Sequence, residues 1–172
     1  WADQMLLIQA NFPLFNDSVY GQNPDYGQLQ SIGKLLSISI NEIPLGASGY
    51  KKLCQGDFYL ILNCGNIMPS YQPGHLHADM LHMVLYYKNN AILVDTGIST
   101  YENNPSRLHE KATASHNTVC FENENQSQIW SVFRMAKRAK VQLISFSNNS
   151  LEACVTWHNG FQHKRSILLT GN

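Results

Sequence analysis

The sequence predicts a mainly β protein, an antiparallel β-sandwich with a short N-terminal helical arm. Three observations carry that expectation. Beyond Pro44 the chain breaks into short runs rich in β-branched and aromatic residues, bounded by Gly, Asn, Pro or Ser. Two gaps between runs, Asn89-Asn90 and Asn148-Asn149, have the composition of hairpin turns. Before Pro44 the regular patterns are helical.

In chain order, the apolar stretch Met5–Ala10 reads as the end of a helix, and Phe12-Pro-Leu-Phe-Asn-Asp-Ser18 as a turn-rich loop. Pro24-Asp25 is a helix-start signal, and Leu29, Ile32, Leu35 and Leu36 then recur at helical spacing, predicting one amphipathic helix whose apolar face packs. The predicted strands are Ser48–Leu53, Phe58–Cys64, Leu81–Tyr87, Ala91–Asp95, Thr118–Phe121, Val141–Phe146, Leu151–Trp157 and Arg165–Leu169. The change of texture divides a helical arm or linker, residues 1–43, from a β-sandwich domain, residues 44–172.

A chain of 172 residues with 44% apolar content can bury one core. Twelve basic and twelve acidic residues cancel, which points away from nucleic acid and from an anionic membrane surface. The apolar runs are too short for a membrane span. Cys54, Cys64, Cys120 and Cys154 lie far apart without C-x-x-C spacing, so a cysteine zinc site is not expected. Cys64, Cys120 and Cys154 sit in strand-like surroundings suited to free thiols. The chain opens on Trp1 and closes on Gly171-Asn172 straight after an apolar run, as a piece of a longer protein would.

The chemistry concentrates in Tyr71-Gln-Pro-Gly-His-Leu-His-Ala-Asp79. His75 and His77 are two apart, so an extended backbone projects both rings from one face, with Asp79 beside them. Such an edge suits a metal site or general acid–base work; the competing reading is a pair of polar loop residues. Candidate ligands are His77, Asp79, Asp95 and His116. In a regular Asn89-Asn90 hairpin, Asp95 faces Val84 and lies on the opposite face from His77, so a shared metal requires a bulge or bend near Asp79–Leu81. His82 reads as a core or strand-surface residue, and His109, His158 and His163 as surface. The basic cluster Lys137-Arg138-Ala-Lys140 reads as a solvated strand edge.

Pro73-Gly-His-Leu-His-Ala-Asp-Met-Leu81, Leu93-Val-Asp-Thr-Gly-Ile-Ser-Thr-Tyr101, Arg107, Thr113-Ala-Ser-His-Asn-Thr-Val119 and Gln126-Ser127 to Phe133-Arg134 together resemble the β domain of the heparinase II/III-like polysaccharide lyases. Phe12–Ser18 is similar to the linker that leaves that family's helical domain. The resemblance implies a supersandwich-type β domain and β-elimination on an acidic, uronate-containing polysaccharide. His75 matches the histidine of the catalytic cleft, while His77, Asp95 and His116 match the ligands of an architectural zinc. Tyr101 and Arg107 become candidates for substrate contact, and Asn117 for orienting a metal ligand. The resemblance also implies a preceding α/α toroid in the same polypeptide, supplying a catalytic tyrosine and a carboxylate-neutralising residue, and a periplasmic or secreted address. Against the same family, the β domain itself is expected to be cut short soon after His163-Lys-Arg165. Two other classes compete: a non-catalytic glycan-binding β domain, and a non-haem iron oxygenase in which His77 and Asp79 form the H-x-D pair.

Overall fold

The computed structural model describes residues 2–6, 12–22, 24–38, 45–66 and 70–171. The predicted domain boundary at residues 43/44, and most of the predicted helical end at Met5–Ala10, lie outside the described residues; α1 is Ala2–Met5. Among the described residues nine strands form three antiparallel sheets, and the mainly β, antiparallel character is as the sequence predicts. β1 (Tyr50–Gln55), β2 (Phe58–Asn63), β3 (Met83–Tyr87) and β4 (Asn90–Leu93) make a meander in that order. β5 (Ile129–Ser131) and β6 (Arg134–Met135) pair as a small ribbon. β7 (Lys140–Phe146), β8 (Ser150–Thr156) and β9 (Gln162–Leu168) make the third sheet.

The meander and the third sheet share one core. Leu53, Leu60 and Leu62 meet Leu151, Ala153, Val155 and Trp157 across it. Alternate residues of the meander, Ile61 and Val84, point the other way and are covered by Met5 and Phe15 of the arm and by Leu45. Burial on both faces is why Phe58–Leu62 reads as an unbroken apolar run. β8 instead alternates half-buried and buried side chains, the pattern of a sheet with one face on a core. Lys140 is exposed at the start of the edge strand β7 and Lys137 at the bend before it, while Arg138 between them is half-buried. Thr118–Phe121 forms no strand; only Phe121 makes a bridge, to Glu124.

α2 (Tyr26–Leu35) starts where the signal places it. Asp25 caps the amide of Gln28, whose side chain returns the bond to the Asp25 amide. Its apolar stripe does not pack: Leu29, Ile32, Leu35 and Leu36 are exposed, and no described residue covers them. No described helix is long and apolar enough to cross a membrane.

Two irregularities shape the site. The β3–β4 turn is centred one residue earlier than predicted, on Lys88 and Asn89, both with positive φ. The register then shifts between Leu85 and Tyr86, so that Leu85 faces Leu93 while Tyr86 faces Ala91. Ile92 is the extra residue of a bulge, and the strand leaves β4 in a new phase. At the other end of β3, Leu81 sits at φ 59°, a left-handed bend that is uncommon for leucine. Hydrogen bonds from three donors hold it. The Leu81 amide donates to Asn63, the Asn63 amide donates to His82, and Arg165 Nη1 donates to the carbonyls of Leu81 (2.9 Å) and Asn117 (3.0 Å).

His163 departs from its expected surface position. It is 9% exposed on β9 opposite Val155, and neither ring nitrogen has a hydrogen-bond partner. Burial, together with the Arg165 charge, pushes its pKa down to about 4. In the unfolded chain the same ring titrates near about 6.5. The unfolded state therefore binds the extra proton between those values, and stability falls as pH drops from about 6.5 toward about 4. His163→Phe should recover roughly 1–2 kcal/mol of that loss in urea unfolding at about pH 5 relative to about pH 7; an unchanged pH slope would contradict the assignment.

Candidate functional site

The site lies where the arm loop, the loop 70–82, the end of β4 and α3 (Pro105–Lys111) converge. Its first part is built on Asp17. Phe15 anchors the arm loop in the core, and Asn16 turns it at φ 52°. Asn16 Oδ1 accepts the His77 amide at 2.9 Å. The Ser18 carbonyl accepts the Ile98 amide, and it lies so close to Gly97 that a Cβ there would sit 2.2 Å from it. Gly97, at φ 63°, is thus required for the approach.

Held in this way, Asp17 meets both motif histidines. Its Oδ2 is 2.8 Å from His75 Nδ1 and its Oδ1 is 2.8 Å from His77 Nε2. Arg107 completes the cluster, with Nη2 at 2.7 Å from Oδ2 and 2.6 Å from Oδ1. Burial acts to raise the Asp17 pKa, but hydrogen bonds from His77, Arg107 and His75 outweigh it and hold the carboxyl below its ordinary range.

His75 is the exposed member, with 61% of its side chain accessible, whereas His77 is fully buried. Tyr101 and Phe133 flank His75 edge-on, with ring centroids 6.0 and 6.1 Å away. The two rings are nearly parallel to each other, at 18°. Arg107 was expected at the substrate. It is instead fully buried beneath these rings, 5.4 and 5.7 Å from their centroids, with its guanidinium committed to Asp17. Lys111, also fully buried, donates to the Gly74 carbonyl at 2.7 Å and fixes the backbone just before His75. Burial and the nearby Arg107 lower its pKa to about 8.

The second part is a buried His–His–Asp cluster. His82, Asp95 and His116 each offer a ligand atom, all within 4.8 Å of one another. His116 Nδ1 is 2.7 Å and His82 Nε2 3.1 Å from Asp95 Oδ2, while Asp95 Oδ1 accepts the Gly97 amide at 2.7 Å. His77 lies against this cluster through His116, with ring centroids 5.2 Å apart. Burial works against the charged form of His116, but the Asp95 hydrogen bond prevails and raises its pKa. For His82 burial prevails over Asp79 and Asp95, and its pKa falls to about 4. Asp79, the rival carboxylate, accepts from Asn63 Nδ2 at 3.1 Å and is outside the trio.

Three buried polar atoms around this cluster have no hydrogen-bond partner, His77 Nδ1, His116 Nε2 and Asp79 Oδ1, and His82 Nε2, though 3.1 Å from Asp95 Oδ2, is not aligned for a hydrogen bond. Each such orphan costs about 1–3 kcal/mol, and a cation is the ligand that nitrogen and oxygen donors of this kind suit. The donor set therefore fits a metal. Asn117 does three jobs beside it. Its amide donates to His82 Nδ1 at 2.9 Å, and its side chain bridges the carbonyls of Met83 and Val94 where β3 and β4 part. Because His82 Nδ1 accepts that bond, its neutral ring carries the proton on Nε2, toward Asp95.

Asp17, His82, Lys111 and Phe133 were not singled out from sequence. Only the likeness of Phe12–Ser18 and Phe133-Arg134 to family motifs signalled two of them.

The sequence matches the family model described as heparinase II/III-like, C-terminal, over residues 41–172. Compared with curated proteins, it has no match. Among solved structures, heparan sulfate lyase HepC from Pedobacter heparinus aligns at TM-score 0.64 and 18% identity, over 95% of this chain and 28% of that one. A mutant of that lyase aligns at 0.60 and 18%, over 92% and 27% of the two chains. A crystal structure titled heparinase III aligns at 0.60 and 15%, over 90% and 28%. These likenesses show the fold, and the chain spans little more than a quarter of the length of the lyases it resembles.

Proposed function

Because the chain belongs to the heparinase II/III-like family through its C-terminal domain, we propose that it is the β half of a polysaccharide lyase that cleaves an acidic, uronate-containing polysaccharide by β-elimination. The observation that carries the reading is His75: an exposed imidazole whose Nδ1 is fixed by a buried carboxylate and whose ring is flanked by two half-exposed aromatics. Elimination removes the proton alpha to the uronate carboxylate and protonates the departing glycosidic oxygen. His75 serves one of those transfers through Nε2. The proton becomes acidic only when a further group neutralises that carboxylate, a role closed to Arg107 and Lys111, which are committed to Asp17 and to the Gly74 carbonyl. That group, with a catalytic tyrosine, belongs to the helical toroid that we place ahead of the arm, residues 1–43, in the same polypeptide. The address that goes with this substrate is periplasmic or secreted.

Tyr101 and Phe133 offer apolar ring surface to a pyranose beside His75. In the full-length polypeptide, Tyr101→Ala or Phe133→Ala should raise KM about 3–10-fold, the worth of one aromatic contact, with kcat less affected. An unchanged KM would remove the pair from the binding site.

The cluster around Asp95 is proposed to hold one zinc through His77, Asp95 and His116. His77 supports this choice over His82, because its Nε2 is committed to Asp17 and its buried Nδ1 is free, the carboxylate–histidine arrangement typical of metal ligands. Bound there, zinc would act as a structural tie between the His77 loop, the end of β4 and the turn before His116. Asn117 orients the cluster through His82 and the two strand ends.

The test of the reading is substrate chemistry. The full-length polypeptide should release unsaturated sugar from a uronate polymer and none after its carboxyl groups are reduced to alcohols. Equal cleavage of the reduced polymer would sink the elimination reading. Retention of the polymer without cleavage would favour a glycan-binding module.

A further inference from the structure

We propose that Asp17 is the positioning residue of this site, and that its single carboxylate sets opposite tautomers in His75 and His77. One ring is thereby left with a free lone pair at the surface, the other with a free lone pair in the interior. What the surface lone pair does rests on the lyase reading; the tautomers themselves do not.

An ionised carboxylate only accepts hydrogen bonds. Each imidazole must therefore carry its proton on the nitrogen facing Asp17, which is Nδ1 in His75 and Nε2 in His77. A neutral imidazole has one N–H, so the lone pairs fall on His75 Nε2 and His77 Nδ1. The first belongs to an exposed ring, and the second is buried and without a partner. Arg107 Nη1 also approaches His77 Nε2, but at 3.4 Å it does not displace the 2.8 Å bond to Asp17. Arg107 Nη2, within 2.7 Å of both carboxylate oxygens, keeps Asp17 ionised and stops it rotating. Asp17, 58 and 60 residues away in sequence, thus joins the proposed proton-transfer group to the proposed metal ligand.

The geometry makes the substitutions unequal. Asparagine offers one acceptor and one donor group where aspartate offers two acceptors. Asp17→Asn must therefore turn the proton of one ring to the other nitrogen or lose one bond. Asp17→Glu keeps two acceptors.

The test is long-range 1H–15N NMR on the 172-residue chain at about pH 8, where imidazoles are neutral. The unsubstituted chain should show His75 as the Nδ1–H and His77 as the Nε2–H tautomer. Asp17→Asn should change the tautomer of at least one ring and weaken zinc binding by about 10–100-fold, the usual cost of losing a partner behind a ligand. Asp17→Glu should retain both tautomers. The reverse tautomer in either ring of the unsubstituted chain overturns the proposal, whatever the variants do. Unchanged spectra for both rings in Asp17→Asn overturn it as well. Failure of lyase activity would leave these readings intact, so the two ideas fail separately.

Discussion

His75→Ala in the full-length polypeptide should cut formation of unsaturated sugar by about 10²–10⁴-fold, the range that a positioned proton-transfer group supplies. The fold should survive, because the side chain is largely exposed and its hydrogen-bond partner Asp17 keeps Arg107 and His77. Near-parental melting temperature with lost activity separates chemistry from stability. Substrate binding should change little, since Tyr101 and Phe133 remain. A His75→Ala enzyme within about tenfold of the parent rate would exclude His75 from proton transfer.

Metal removal should have the other large effect. A ligand that binds only the native state adds about 2.7 kcal/mol when present at a hundred times its dissociation constant. For a chain of this size that corresponds to roughly 5–10 °C in melting temperature. Chelator should therefore lower the melting temperature of the parent by about that amount, and have less effect on Asp95→Asn. Elemental analysis should find one zinc per parent chain and far less in His77→Ala and His116→Ala. His82→Gln should retain it, because His82 already uses Nδ1 as an acceptor and holds its proton toward Asp95. Equal metal in parent, His77→Ala and His116→Ala would refute the ligand set; loss in His82→Gln and His116→Ala with metal kept in His77→Ala would move it to the tighter trio.

Much of the β architecture was legible because burial writes itself into periodicity. β8 alternates, β2 is a continuous apolar run between two covered faces, and Asn148-Asn149 closes a hairpin where expected. The site was legible only in part. His75, His77, Asp95 and His116 stood out by residue type, but their relative placement depends on the Ile92 bulge and the left-handed Leu81, neither of which has a reliable sequence signature. His82 looked like any residue in an apolar run, yet that bend turns it beside Asp95. Asp17 was hidden for a different reason. Its partners are 58, 60 and 90 residues away, and no local pattern reports contacts at such separations. Arg107 was read as a candidate for substrate contact, a role that needs an accessible cation; the Asp17 carboxylate is what makes its burial tolerable.

The central claim is that these residues form half of an elimination site, completed by groups elsewhere in the polypeptide. Elimination next to a carboxylate needs base, acid and a neutralising group in place together, and such groups do not act in separate shares. Ultraviolet absorbance of the unsaturated product tests this directly, with the full-length polypeptide and the isolated 172-residue chain assayed side by side on one uronate polysaccharide. The account predicts product from the full-length polypeptide and none from the isolated chain. Product from the isolated chain at the full-length rate would place the whole catalytic set within these residues and contradict it.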